Sequence, residues 1–336
     1  MTVDDTLFLT NGTPLDVDSR GYGQGLRGAA FCALDAPVTM RRCAFRANRG
    51  AGYCSWGGDP SNETFLQGGT VILKGACGGS AFTNCLWAGN ASDPSVAART
   101  ADKDKNSVCQ GAMVVFLSDP AATVDFANCT FADNLIDAVK SPSALNVFKG
   151  TAHVTHSIFA GNVIGTYAES GLGRDVAVSA NGSLSVDWTI FDHPLAESVS
   201  VADGGSLTLD GNTVTNVVSA RLVTPPETLS AIVVTNSGSW NAIKYTFIKY
   251  DPAQAAGVLP SVSAHLRGGS GYVDELTGET VKKYAKARMR SPAVDAGDPA
   301  VRCVEPHPNG NRVNPGAYGN TKWATMSPSG GVLIVR

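Results

Sequence analysis

An internal repeat constrains the fold of this chain more than any other feature of its sequence. Five segments align without gaps: 38–48, 80–90, 124–134, 152–162 and 184–194. Their first and third positions are mostly apolar, the sixth is small, the eighth is always aromatic, and the eleventh is Asn in the first four segments. Self-similarity of this kind is typical of repeat architectures, in which similar units stack and share one core.

The spacing of the apolar positions within each repeat predicts a strand, a bend and a second strand. Positions one and three share a parity, as do positions six and eight, and a period of two is the signature of a β-strand. The inward positions change from odd numbers to even numbers between positions three and six. The chain must therefore turn there to keep both sets of apolar side chains on the inside.

Stacking of the repeats predicts three columns of equivalent side chains. The Asn column should form a ladder at a turn, where Asn tolerates a left-handed φ. The sixth position should hold a buried column of free thiols rather than disulfides, because Cys43, Cys85 and Cys129 are equivalent. The eighth position should form a stack of aromatic rings, made of Phe45, Trp87, Phe131, Phe159 and Phe191.

These patterns predict an all-β fold, a right-handed parallel β-helix, over residues 1–262. The segment 263–336 is predicted to be an irregular C-terminal cap that continues the solenoid. Gly and Pro recur every few residues between 291 and 319, and such a segment could wrap the last turn of the solenoid and cover its open edge. The adjacent Asp4 and Asp5 are expected at a frayed end, and the register beyond residue 195 is left open.

Composition excludes several classes of protein. Hydrophobic residues make up 43% of the chain and charged residues 16%, which argues against disorder. The net charge of −3, without a basic patch, argues against a nucleic-acid partner. There is no apolar run long enough to span a membrane, and no C-x-x-C pair that would indicate zinc. We expect a monomer.

Three motifs near the C-terminus carry a resemblance to a known family. They are Ser291-Pro-Ala-Val-Asp-Ala-Gly-Asp298, Glu305-Pro-His-Pro-Asn-Gly-Asn-Arg312 and Asn314-Pro-Gly-Ala-Tyr-Gly319. Together with the N-C-x-F-x-x-N repeats, they resemble secreted bacterial right-handed parallel β-helix proteins, passenger-like and polymorphic outer-membrane-type proteins included. The resemblance implies an extracellular or outer-cell-surface location and no particular activity. Met1–Thr10 lacks a signal pattern, so we expect a piece of a longer secreted precursor, the alternative being a cytoplasmic protein.

The best functional prospect lies in the polar segments that follow the repeat Asn residues. Segments leaving one corner of neighbouring repeats should form a common wall, and loops on a scaffold carry function more often than the scaffold does. The predicted ligand is a polysaccharide or another host or environmental glycan, acidic glycans included. The candidate ligand-binding residues are Tyr53, Trp56, Asp59, Arg99, Tyr167, Glu169 and Arg174.

The sequence therefore favours a non-catalytic, adhesin-like module, with a polysaccharide lyase or glycoside hydrolase as the alternative. It identifies no catalytic residue. Asp192-His193 superficially resembles a pectate-lyase element, but its place in the fifth repeat favours a turn. No cofactor is expected. The tail contains four side chains with oxygen atoms that could bind Ca²⁺, Asp295, Asp298, Glu305 and Asn309. The alternative is that these residues simply form turns.

Overall fold

The structure, a computed structural model, describes 1–9, 11, 30–50, 69–92, 110–136, 142–164, 173–213, 215, 234–240, 243–248, 265–266, 270–273, 280–282 and 291–327. It is nearly all-β, with parallel sheets curled into a half-barrel. The all-β, parallel part of the predicted fold is thus confirmed, while the division at residue 262 stays a prediction.

The largest sheet, sheet 1, has eleven parallel strands and is built from two consecutive sets. One set carries the first three repeat positions: β1 (Thr2–Asp4), β4 (Thr39–Arg41), β8 (Ser80–Thr83), β12 (Thr123–Ala127), β21 (Ser206–Leu209) and the later parts of β15 (Pro142–Thr155) and β18 (Val176–Asp187). The other set comprises β3 (Phe31–Leu34), β7 (Gly69–Gly75), β11 (Gln110–Leu117), β20 (Val199–Val201) and the earlier parts of β15 and β18.

Two smaller parallel sheets hold the rest of each repeat. Sheet 2 carries the aromatic position and consists of β2 (Leu7–Leu9), β5 (Ala44–Arg46), β9 (Leu86–Ala88), β13 (Thr130–Ala132), β16 (Ile158–Ala160) and β19 (Ile190–Phe191). Sheet 3 follows the repeat Asn and consists of β6 (Arg49–Gly50), β10 (Ala91–Ser92), β14 (Leu135–Ile136) and β17 (Val163–Ile164).

The remaining described elements are short. One helical turn, α1 (Leu195–Ser198), follows the fifth repeat. Two antiparallel hairpins lie later in the chain: β22 (Val234–Trp240) with β23 (Ile243–Ile248), and β24 (Tyr272–Val273) with β25 (Thr280–Val281). Beyond residue 195, where no register was predicted, β20 and β21 continue the parallel pairing on β18.

The predicted columns are present in the core. Phe45, Trp87, Phe131, Phe159 and Phe191 pair in register, and successive ring centroids lie 5.2, 4.5, 4.8 and 5.0 Å apart. All five are fully buried, as are the thiols of Cys43, Cys85 and Cys129, which are free. Burial of each aromatic side chain contributes roughly 2–3 kcal/mol.

The N-terminus forms a sixth repeat that the sequence alignment missed. Phe8 stacks on Phe45 at 4.6 Å, and β1 pairs with β4 in the repeat register. The expectation of a frayed end at Asp4-Asp5 is therefore wrong. Asp5 occupies the fifth repeat position, where its carboxylate receives two hydrogen bonds from Arg42 at 2.6 and 2.7 Å.

Each bend depends on a residue in the left-handed region of φ. At the fifth position φ is +47° to +55° in all six repeats, which turns the chain where the parity slips, at Asp5, Arg42, Asn84, Asn128, His156 and Trp188. A second bend lies at the tenth position in Ala47, Gly89, Asp133 and Gly161. The expectation that the ladder Asn itself takes a left-handed φ is wrong, because the preceding residue makes that turn.

The described tail, 291–327, packs along the outer face of sheet 2. Ala317 N–H donates to the Thr130 hydroxyl at 2.9 Å and Gly316 N–H donates to the His156 carbonyl at 2.7 Å. Gly316 has φ +101° and leaves no room for a Cβ above Ile158. The described tail buries apolar groups on the side of several repeats. The sequence predicted that it would cover the open edge of the last turn, and for residues 291–327 that prediction is wrong.

Candidate functional site

A buried ladder of Asn side chains leads to the candidate site. Each Asn donates from Nδ2 to the Oδ1 of the next Asn at 2.9–3.0 Å. From the second Asn onward, Nδ2 also donates to the carbonyl of the aromatic residue in the preceding repeat, at 2.9–3.1 Å. The ladder is made of Asn11, Asn48, Asn90, Asn134 and Asn162.

Asp175 ends this ladder. The fifth repeat has Pro194 in the Asn position, and the acceptor for Asn162 Nδ2 is instead Asp175 Oδ1, at 2.8 Å. Asp175 is fully buried, and its Oδ2 has no hydrogen-bond partner. Burial raises the pKa of Asp175 to about 7, while the Asn162 bond and the nearby Ser198 hydroxyl oppose that rise.

Asp192 and His193, in the turn after β19, lie close to the Asp175 carboxylate. The Gly161 N–H donates to Asp192 Oδ2 at 2.6 Å. Asp192 Oδ1 lies 2.6 Å from His193 Nδ1, and neither of these buried atoms has a further hydrogen-bond partner. The Ser198 hydroxyl donates to the His193 carbonyl at 3.3 Å.

The three side chains form one group, which we call the ladder-end cluster. One ligand atom from each of Asp175, Asp192 and His193 lies within 4.8 Å of the other two. Arg174 lies at the rim, with Nη1 3.4 Å from His193 Nε2 and Nη2 3.5 Å from the Glu197 carboxylate. The cluster thus joins buried carboxylates and an imidazole to a half-exposed guanidinium that can contact an anion.

A second polar group lies where β18 and β21 end. The carboxylates of Asp187 and Asp210 interact directly. Asp210 receives hydrogen bonds from Asn212 and Thr213 at 2.6 and 2.8 Å, while Asp187 Oδ1 has no partner. Burial and Asp210 raise the pKa of Asp187 to about 6, whereas the pKa of Asp210 is held at about 2, because hydrogen bonds that favour its charged form outweigh its burial. Below about pH 6 the pair therefore shares one proton.

In the tail, the proposed Ca²⁺ oxygens serve internal hydrogen bonds. Glu305 Oε1 accepts from the backbone N–H groups of Asn314 and Asn320 at 2.6 and 2.8 Å, and Oε2 accepts from Asn314 Nδ2 at 2.7 Å. Asp295 Oδ1 accepts from the Ser327 hydroxyl at 2.6 Å. These contacts favour the turn-forming role of both acidic side chains.

Of the predicted ligand-binding residues, the structure describes Arg174. The other six lie outside the described residues: Tyr53, Trp56, Asp59, Arg99, Tyr167 and Glu169. Arg174 does come together with His193, although the sequence favoured a turn role for Asp192-His193. Asp175 lies in the same polar segment as Arg174 but was not among the predicted ligand-binding residues, and the available signal was Pro194 in place of the repeat Asn.

The comparisons with known proteins give no family for this chain. No protein-family model matches the sequence, and neither a curated protein nor a solved structure matches it significantly. Among the described residues, no helix is both long and apolar enough to cross a membrane. The geometry of the site and the fold are therefore the basis for the function proposed below.

Proposed function

We propose that the chain is a right-handed parallel β-helix that serves as an extracellular or cell-surface binding module, with a glycan as its ligand. Parallel strands joined by crossovers are almost always right-handed. The in-register columns and the left-handed bends at equivalent positions support a solenoid coil. The resemblance of the tail motifs to those of secreted bacterial β-helix proteins supports the proposed location.

The observation that carries the binding function is the common exit from sheet 3. Its strands pair in register, Ala91 with Arg49 and Leu135, and Leu135 with Val163. After each strand the chain leaves the described core at the same sheet edge, into 51–68, 93–109, 137–141 and 165–172. The interior of the stacked repeats is filled with apolar side chains. We therefore expect the ligand to bind to the segments that follow sheet 3.

An acidic glycan fits the chemistry at the end of this edge. Arg174 is half exposed where the chain re-enters the core, and its planar guanidinium suits a carboxylate. Three of the predicted ligand-binding residues are aromatic, and they belong to the segments that follow sheet 3: Tyr53, Trp56 and Tyr167. We propose that sugars stack on their rings. The proposed partner is thus a uronic-acid-containing polysaccharide, bound by a monomer.

The test compares two binding variants with a control. Trp56→Ala and Arg174→Ala should each weaken retention on an acidic glycan array, with little change in the midpoint of thermal unfolding. Arg41→Ala is the control, because Arg41 is exposed on β4, away from this edge. Unchanged array profiles for both binding variants would refute the proposal, and a lowered unfolding midpoint for Trp56→Ala would assign that side chain to packing.

The Asp187–Asp210 pair supports a second candidate, a glycoside hydrolase. Two carboxylates whose environments drive their pKa values apart can act as proton donor and ionised partner, and hydrolysis of a glycosidic bond between them would require the pair to open to about 5 Å or more. Trp188 adjoins Asp187, and its ring stacks in parallel with His156, with 6.5 Å between centroids. Release of reducing ends from a polysaccharide panel, abolished in Asp187→Asn, would favour this candidate, whereas unsaturated products absorbing in the ultraviolet would indicate a lyase.

A further inference from the structure

We propose that the ladder-end cluster binds a single divalent transition-metal cation such as Zn²⁺ or Mn²⁺, through Asp175, Asp192 and His193. This inference is independent of the proposed glycan binding, and it departs from the expectation of no cofactor drawn from the sequence. Two carboxylates and one imidazole are a ligand set suited to first-row divalent ions, whereas Ca²⁺ prefers oxygen ligands alone.

The first support is the state of the three candidate ligand atoms. Asp175 Oδ2 is buried without a hydrogen-bond partner, while Asp192 Oδ1 and His193 Nδ1 are buried in contact with each other at 2.6 Å and have no further partner. Asp175 is the decisive member, because its whole side chain is shielded from water. A buried polar atom without a partner is destabilising, and more so when it is charged, so a bound cation would give Asp175 Oδ2 a partner and would offset the charge of both carboxylates.

The second support is the way the two carboxylates are held. Asn162 fixes Asp175 through Oδ1, and the Gly161 N–H fixes Asp192 through Oδ2. In each carboxylate the opposite oxygen accepts no hydrogen bond from these holding groups and belongs to the cluster. Outer-shell donors that hold one oxygen while the other binds the ion are the usual arrangement of a metal-binding carboxylate.

The third support is the place of Asp175 in the ladder. An Asn at the end of the ladder could accept from Asn162 equally well and would carry no buried charge. Asp175 instead places a second oxygen toward Asp192 and His193. Arg174, the nearest cation, reaches His193 on the opposite ring nitrogen and has Glu197 as a second partner, so it can stay at the rim when the ion binds.

The experiment measures Co²⁺ and Zn²⁺ binding to the full chain after treatment with a chelator. Isothermal titration should give one ion per chain, and the Co²⁺ complex should lack the ultraviolet charge-transfer band of thiolate ligation, which excludes Cys32 and Cys303. Asp175→Asn preserves the shape and the acceptor for Asn162, and it should weaken binding roughly 100-fold. His193→Ala, on a partly exposed residue, should do the same and guards against misfolding of the first variant.

Asp125→Asn is the matched control. Asp125 forms a similar contact with a histidine, Oδ1 to His153 Nδ1 at 3.4 Å, but both side chains are exposed and no buried third ligand is described there. This variant should bind the ion with wild-type affinity. The proposal is overturned if the wild type shows no saturable 1:1 binding, if a thiolate band appears, or if Asp175→Asn and His193→Ala bind as tightly as the control.

Discussion

Removal of one amide from the middle of the Asn ladder should destabilise the protein far more than removal of one from its end. The Asn134 side chain takes part in four hydrogen bonds: Nδ2 donates to the Trp87 carbonyl and to Asn162, and Oδ1 accepts from the backbone and the side chain of Asn90. All lie between 2.9 and 3.1 Å, in a region shielded from water. At about 1 kcal/mol each, Asn134→Ala should lower the free energy of unfolding by about 4 kcal/mol.

Asn11→Ala is the matched control, because its side chain makes one hydrogen bond to the residues that the structure describes, a donation to Asn48 at 3.0 Å. It should cost about 1 kcal/mol. Urea unfolding followed by far-ultraviolet circular dichroism measures both variants against the wild type. Equal losses for the two variants would refute the reasoning, since the effect would then come from the Asn-to-Ala change itself and not from the ladder.

Three further predictions use the same unfolding assay. Phe131→Ala should cost about 3–5 kcal/mol, because its ring fills the core between two stacked neighbours; a loss below 1 kcal/mol would contradict the stacked core. Arg42→Gln should cost less than about 1 kcal/mol, since its ion pair with Asp5 is exposed, and 1 M salt should abolish the difference. Burial, with a smaller contribution from Asp295, raises the pKa of Glu305 from 4.5 to about 7. The folded state therefore binds the extra proton, and about 3 kcal/mol of stability should be present below pH 4.5 and lost as pH rises through 7; Glu305→Gln should flatten that profile.

The sequence predicts the core of this fold because the core is periodic. Alternation within a repeat and equivalence between repeats fix which side chains point inward, and the aromatic and Cys columns follow from that alone. The additional repeat at the N-terminus was missed although Phe8 and Asn11 occupy the expected positions. The acidic pair Asp4-Asp5, which precedes them, suggested a frayed end. Asp5 shows that a charged residue suits the exposed bend as well as Asn does.

The ladder-end cluster could not be predicted to the same degree, because its members come from different parts of the pattern. Asp192 and His193 follow the fifth repeat, whereas Asp175 precedes β18 in a stretch that the alignment does not cover. Their proximity results from stacking of one repeat on the next, and no local spacing encodes it. Most of the predicted ligand-binding residues fall in 51–68, 93–109 and 165–172, where repeat periodicity gives no information about position.

The bend residues show why variation within a repeat can be informative. The fifth position differs from repeat to repeat. In the structure, Asn84 donates to the Gly319 carbonyl at 2.8 Å, Asn128 to the Asn314 carbonyl at 3.3 Å, and His156 accepts from the backbone N–H of Asp298 at 3.2 Å. A further contact places the Arg312 guanidinium 5.5 Å from the ring of Trp188. Because the tail does not repeat, each of these four bend residues meets a different partner, whereas Asp5 and Arg42 pair with each other. Part of the variation at this position therefore matches the tail.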